Sequence, residues 1–92
     1  MKKEELLKKI GEQIRVIRIE KGLTQKQLAH LIGKDQQSIQ RLEAGNINPS
    51  YIYLCEIADG LNVSLLDILN SLPAWFLDKL VVLLFQFVCI KQ

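Results

Sequence analysis

The chain has 92 residues, of which 49% are hydrophobic and 24% are charged, a composition typical of one small folded domain. This length and composition exclude a disordered tail, a collagen-like repeat and a multidomain enzyme. The net charge of +2 is unevenly divided, because residues 1–48 contain ten Lys and Arg against six Asp and Glu, whereas residues 49–92 contain two against four. The basic first half indicates either a solvated helix face or contact with a polyanion, of which nucleic acid is the commonest.

The two cysteines, Cys55 and Cys89, lie far apart without a CxxC pair or a Cys/His cluster. We therefore expect no metal, no cofactor and a reduced, cytoplasmic setting. Residues 1–9 are charged and predict no signal peptide. The apolar stretch 75–90 would span about 24 Å as a helix, short of the roughly 30 Å hydrocarbon core, so no membrane span is expected.

The first two predicted helices follow from periodicity and from their end signals. Apolar residues recur every three or four positions over residues 2–21 and predict an amphipathic helix that Gly22 ends. Thr24 and Gln27 have the spacing of a capping box and begin a short second helix, which Gly33 ends. The residues predicted to face inward from this second helix are Leu28, Leu31 and Ile32.

The third predicted helix begins at Asp35, an N-cap residue, and ends at Gly45. Only Ile39 and Leu42 are apolar between these ends. A helix with two apolar anchors buries little, so most of its surface must face water or a ligand.

Two more helices are predicted before residue 71. Pro49 suits the first turn of a fourth helix, which ends at Gly60 or Asn62, and Ser64 caps a fifth over residues 65–69. No run alternates with period two in residues 1–70, so this part is predicted to be all-α with five helices. The residues predicted to face inward are Ile52, Leu54, Cys55, Ile57, Ala58, Leu61, Leu66, Ile68 and Leu69.

The second and third helices are joined by a short turn at Gly33. Ala29 is small enough for the two helices to cross closely, and Ile39 and Leu42 hold the third helix from beneath. This spacing predicts a helix-turn-helix arrangement, in which the later helix enters the DNA major groove.

At residues 8–70 the sequence resembles the lambdoid phage repressor and Cro family, also called the Xre family. The segments GLTQKQLA, QQSIQRLEAG and IADGLNVS carry the resemblance. It implies a five-helix lambda-repressor-like domain over residues 1–71 that acts as a dimeric, sequence-specific transcriptional regulator, most often a repressor. No enzyme chemistry is indicated, since the sequence has no Gly-rich phosphate loop, catalytic triad or metal-ligand spacing.

The resemblance places Gln36, Gln37, Gln40 and Arg41 on the groove side of the third helix. A Gln amide bonds bidentately to adenine, whereas Arg suits guanine or a phosphate. Gln25, at the start of the second helix, is expected to bind a phosphate and to support Gln36. The other residues expected to contact phosphates are Thr24, Lys34, Ser38, Asn46, Asn48 and Arg15, with Lys26 as a weaker candidate.

The resemblance also implies an internal ion pair between Arg18 and Glu43. A partly buried Arg–carboxylate pair of this kind is structural, so Arg18 is not expected to contact DNA. His30 is expected to be an ordinary surface residue. Residues 45–48 depart from the family because they contain no Lys or Arg, so DNA affinity is expected to be modest or strongly salt-sensitive.

Residues 72–92 lie outside the resemblance and are too apolar for a solvent-facing extension. We expect this C-terminal tail to be helical, with a strand as the alternative. The leading hypothesis is that the tail forms a homodimer, because the third helices of two copies must lie about 34 Å apart to enter successive major grooves. The alternatives are that the tail packs against the first and fifth helices, or that it is a peripheral membrane anchor. The residues expected to form the dimer contact are Leu77, Leu80, Val81, Leu84, Phe85 and Val88.

Two other functions fit the same sequence. An antitoxin would autoregulate its operon with the helix-turn-helix domain and bind a toxin through the apolar tail. A scaffold protein would keep the fold but not the DNA-binding function, which the uncharged loop 45–48 makes conceivable.

Overall fold

The computed structural model describes residues 2–70. They form five helices: α1 (Lys3–Glu20), α2 (Gln25–Ile32), α3 (Gln36–Glu43), α4 (Tyr51–Leu61) and α5 (Leu65–Leu69). No strand occurs within residues 2–70, so the predicted all-α, five-helix fold is confirmed there. Residues 71–92 lie outside the described residues, and with them the predicted tail helix, its dimer contact and the boundary at residue 71.

Each of the helices α2 to α5 is preceded by an N-cap residue whose side-chain oxygen accepts a hydrogen bond from the backbone N–H three residues later. Such a bond satisfies one of the N–H groups that the first turn leaves without a helical partner. Because the fourth helix is capped by Ser50, Pro49 precedes the cap, and its predicted place in the first turn is wrong. The four capping residues are Thr24, Asp35, Ser50 and Ser64.

The turn between α2 and α3 has the predicted form. Gly33 adopts a left-handed conformation with φ of 70°, which glycine accepts without a Cβ clash. The backbone N–H of Lys34 then donates to the Ala29 carbonyl at 2.8 Å. Ala29 itself is 2% exposed, as the close crossing of α2 and α3 requires.

Of the two predicted ends for α4, Asn62 is the observed one, with φ of 58°. Gly60 lies inside the helix instead. A Cβ on Gly60 would lie 2.6 Å from Cγ2 of Ile32 and 3.4 Å from Cδ1 of Leu28. The absence of a side chain therefore allows α4 to approach α2 closely.

The core draws side chains from all five helices, but three residues predicted to face inward are more than half exposed. Leu31 (58%), Ile52 (68%) and Leu66 (58%) lie on the surface. Each helix turns by about 100° per residue, so Leu31, next to the partly buried Ile32, points away from the core. The fully buried large side chains are Ile14, Leu28, Ile39, Leu42, Ile57, Leu61 and Ile68.

Candidate nucleic-acid interface

The outer face of α3 presents a row of exposed polar side chains. All four residues predicted to contact bases lie on it, and none donates or accepts a side-chain hydrogen bond with another residue between 2 and 70. Their amide and guanidinium groups are therefore available to a ligand. These residues are Gln36, Gln37, Gln40 and Arg41.

The inner face of α3 is fixed by a buried ion pair as well as by its apolar residues. Arg18 donates to Glu43 twice, from Nε to Oε2 at 2.7 Å and from Nη2 to Oε1 at 3.0 Å. A third donor of the guanidinium, Nη1, bonds the Leu23 carbonyl at 2.8 Å. The predicted pair is present, and it ties the last turn of α3 to α1 and to the chain before α2.

Gln25 joins the same network. Its Nε2 donates to Oε1 of Glu43 at 3.1 Å, and its side chain is partly buried. The support that Gln25 was expected to give Gln36 is instead given to Glu43, because the start of α2 lies close to the end of α3. One amide hydrogen of Gln25 is used in this bond, and the other is available to a ligand.

Asp35 fixes the opposite end of α3. Its Oδ1 accepts a hydrogen bond from the backbone N–H of Ser38 at 2.8 Å. Bonds from the Ser38 hydroxyl and N–H hold the pKa of the Asp35 carboxyl below its ordinary value, and the charge of Arg41 adds to this effect. The ionised Asp35 carboxylate is also stabilised by the positive end of the α3 helix dipole.

Tyr53 of α4 contacts the turn before α3, a contact that the sequence reasoning missed. Lys34 Nζ lies 5.4 Å from the centre of the Tyr53 ring, within the range of a cation–π interaction. The Tyr53 hydroxyl is buried and has no hydrogen-bond partner among the described residues. Burial raises the pKa of this hydroxyl, and the nearby charges of Asp35 and Glu56 raise it further. The only sequence signal was an aromatic residue early in α4.

The other predicted phosphate contacts are less closely tied to this face. Thr24 uses its hydroxyl oxygen to cap α2, and Asn46 bonds the Arg41 carbonyl through its backbone N–H at 2.9 Å. Arg15 is exposed on α1, and its side chain makes no hydrogen bond or ion pair within residues 2–70. The remaining members of the predicted set are Lys34 and Asn48, which are exposed, and Ser38, which is partly exposed.

Two further residues lie beside an open groove on α2. Lys26 and His30 are both exposed, and together with Leu23, Gln27 and Leu31 they line a groove of about 440 Å³. Among residues 2–70, no group of three His, Cys, Asp or Glu side chains is placed to hold a metal ion. In the same range, the structure contains no helix with the length and apolar character that crossing a membrane requires.

Comparison with known proteins gives consistent matches. The helix-turn-helix family model HTH_3 matches residues 14–68. The chain is 37% identical to the uncharacterized HTH-type transcriptional regulator y4dJ of Sinorhizobium fredii over 66 residues, covering 72% of this chain and 86% of the relative.

Solved structures show the same likeness. The restriction-modification controller protein C.AhdI from Aeromonas hydrophila superposes with a TM-score of 0.66 at 32% identity, over 67% of this chain and 94% of the controller. The clp gene regulator ClgR from Corynebacterium glutamicum superposes with a TM-score of 0.69 at 27% identity, over 72% of this chain and 86% of that chain.

Proposed function

Because the chain belongs to the Xre, or lambda repressor-like, helix-turn-helix family of DNA-binding transcription regulators, we propose that it recognises a specific operator by placing α3 in the major groove. The observation that carries this proposal is the contrast within α3. Its inner face is buried and bonded to α1 and α2, whereas its outer face offers unbonded amide and guanidinium groups. A rigidly held helix with unsatisfied polar groups is suited to reading base edges.

The base contacts are assigned by chemistry. Gln36, Gln37 and Gln40 each carry a donor and an acceptor in one plane, which matches N6 and N7 of adenine. Arg41 is matched to guanine or to a flanking phosphate. Each bidentate contact discriminates by about 1–3 kcal/mol between the right and the wrong base.

The residues that we propose for phosphate contacts lie around α3. The first turn of α2, beside Thr24 and Gln25, has backbone N–H groups without helical partners, an arrangement that favours an anionic phosphate. Lys34, Ser38, Asn46 and Asn48 would hold the strands on either side of α3, with Arg15 of α1 as a peripheral contact. Phosphate contacts of this kind orient the protein without reading sequence.

We further propose that the chain acts as a homodimer in the cytoplasm and represses by occupying an operator with two inverted half-sites. Two reader helices related by a two-fold axis match half-sites about one helical turn apart. The tail residues assigned to the dimer contact lie outside the described residues. The alternative of toxin binding depends on the same tail, and no feature of residues 2–70 favours it.

The proposal is tested by selecting bound duplexes from a random DNA pool with the full chain at about 100 mM salt, where nonspecific binding is weakened. We expect enrichment of two inverted half-sites with centres one helical turn apart. Direct half-site repeats would contradict the two-fold dimer, and no enrichment would contradict operator recognition.

The selection is then repeated with Gln37→Arg, which keeps the helix and changes the recognition chemistry. If Gln37 reads adenine, one position of each half-site should change from adenine to guanine. Gln27→Arg on α2 is the control. Gln27 accepts a hydrogen bond from the Thr24 N–H in the cap of α2 and is not assigned to a base, so this variant should leave the selected sequence unchanged. Circular dichroism melts confirm that each variant is folded, and an unchanged base preference in Gln37→Arg would exclude this residue as a reader.

A further inference from the structure

The loop that follows α3 contains no Lys or Arg, yet a lysine from another helix lies against it. A Cβ on Gly45 would stand 2.8 Å from Cγ of Lys8 and 2.9 Å from its backbone N and Cα. The backbone of Lys8 and the beginning of its side chain therefore contact the first residue of the loop. Gly45 allows this contact because it has no side chain.

The close approach is fixed at a second point on the same face of α1. A Cβ on Gly11 would meet the carbonyl oxygens of Leu42 and Glu43. Lys8 and Gly11 are three residues apart and so share one face of the helix. Helix α1 thus crosses the end of α3 at two glycine contacts, and the origin of the Lys8 side chain is fixed at that end.

The ammonium group of Lys8 is available to an external anion. Lys8 is exposed, and its side chain makes no hydrogen bond or ion pair with any residue between 2 and 70, although Glu4, Glu5 and Glu12 lie on the same helix. Its four-carbon side chain extends roughly 6 Å from the backbone. The side chain therefore starts at Gly45, the first residue of the loop, and extends beyond this contact.

We propose that Lys8 is a phosphate-binding residue of the DNA interface and supplies from α1 the cation that residues 45–48 lack. The inference rests on the proposed function, because it places α3 in the major groove. The end of a helix in that groove, and the loop after it, lie beside the phosphates of the groove wall. A lysine at this point neutralises one phosphate and releases its condensed counterion.

The competing role for Lys8 is structural. The last turn of α3 carries the negative end of the helix dipole, which a nearby ammonium stabilises. That role affects the free energy of unfolding and leaves the salt dependence of DNA binding unchanged. Phosphate binding instead changes the slope of log K against log salt concentration.

The test measures this slope between about 50 and 200 mM salt, using the full chain and the duplex recovered from the random pool. Lys8→Gln should lower the slope by about 0.9, the value of one phosphate contact, and should weaken binding to all duplexes equally. Lys8→Arg should retain the wild-type slope. Lys9→Gln is the matched control, since it removes the same charge from the next residue, which lies beside Gln13 and Val16.

The outcomes distinguish failure of the Lys8 contact from failure of the proposed function. A slope lowered in Lys8→Gln, and retained in both Lys9→Gln and Lys8→Arg, supports the phosphate contact. Equal slopes in Lys8→Gln and the wild-type chain overturn it, whatever happens to stability, and leave operator binding intact. Equal reductions in Lys8→Gln and Lys9→Gln also overturn it, because they reflect overall charge. A wild-type chain that enriches no duplex overturns the proposed function and this inference with it.

Discussion

The two faces of α3 are built by opposite rules. On the inner face, Ile39 and Leu42 are buried in the core, and Glu43 is bonded to two other elements. On the outer face, residues such as Gln36 and Gln40 are exposed and contribute no side-chain hydrogen bond within residues 2–70. In a helix of eight residues, the side chains that stabilise the fold are therefore distinct from those that we propose for recognition. Substitutions on the inner face and at the ends of α3 should therefore lower stability more than substitutions on its outer face.

The largest expected effect comes from breaking the buried ion pair. Glu43→Ala should lower the free energy of unfolding by about 3–5 kcal/mol, because it leaves the Arg18 guanidinium buried without its carboxylate. Urea denaturation measures the change. The double variant Arg18→Met with Glu43→Leu is the control, and it should be more stable than Glu43→Ala because no buried charge remains. Equal stability of the two variants would contradict a role for the stranded charge.

A smaller loss is expected where α1 crosses α3. Alanine in place of glycine normally stabilises a helix interior by about 1 kcal/mol, but a Cβ at Gly11 meets backbone carbonyls that cannot move aside. Gly11→Ala should therefore lower the free energy of unfolding by about 1–3 kcal/mol. Gly60→Ala is the matched control, since its new Cβ would meet only the side chains of Ile32 and Leu28. A loss no larger at Gly11 than at Gly60 would show that the crossing is not rigid.

The start of α3 should give a pH-dependent effect that is smaller again. Because the folded-state pKa of Asp35 is lowered from 3.8, its stabilising contribution is complete above that value and is lost as pH falls through the folded-state pKa. Asp35→Asn keeps a capping oxygen without this titration. Thermal melts from pH 7 to about pH 2.5 should show the wild-type chain losing stability relative to Asp35→Asn at the acid end. Parallel melting curves would contradict the cap's ionic character.

The smallest effect is expected on the outer face. The double variant Gln36→Ala with Gln40→Ala removes two exposed side chains that have no bonded partner among the described residues. Its free energy of unfolding should stay within about 0.5 kcal/mol of the wild-type value, measured in the same urea titration. A loss above about 1 kcal/mol would show that recognition and stability are not separated on α3.

The features that could be predicted from the sequence are those fixed by neighbours along the chain. Thr24, Asp35 and Ser64 were identifiable as caps because a cap bonds a backbone N–H only three residues away. Ile39 and Leu42 were identifiable as buried because they are the only apolar residues in a polar helix. The Arg18–Glu43 pair, 25 residues apart, came from the family resemblance rather than from any local pattern.

The features that escaped prediction depend on which elements pack together. Leu31 was expected to face inward because its helical spacing permits it, but α2 packs against the core through Leu28, Ala29 and Ile32. Gln25 bonds Glu43 rather than Gln36, and Tyr53 lies under Lys34, because of where the helices cross. Gly11 gave a signal, an unexplained glycine inside an amphipathic helix, that only the crossing of α1 and α3 accounts for.

Asp35 and Gly45 together fix the rotation of α3 about its own axis. A cap displaced by one residue would rotate every side chain of the helix by about 100°, moving glutamines inward and Ile39 into solvent. Single insertions inside α3 should accordingly abolish folding and recognition at once. Exchanges at positions 36, 37, 40 and 41 leave this rotation untouched, so under the proposed function substitutions there should change the preferred operator without changing the fold.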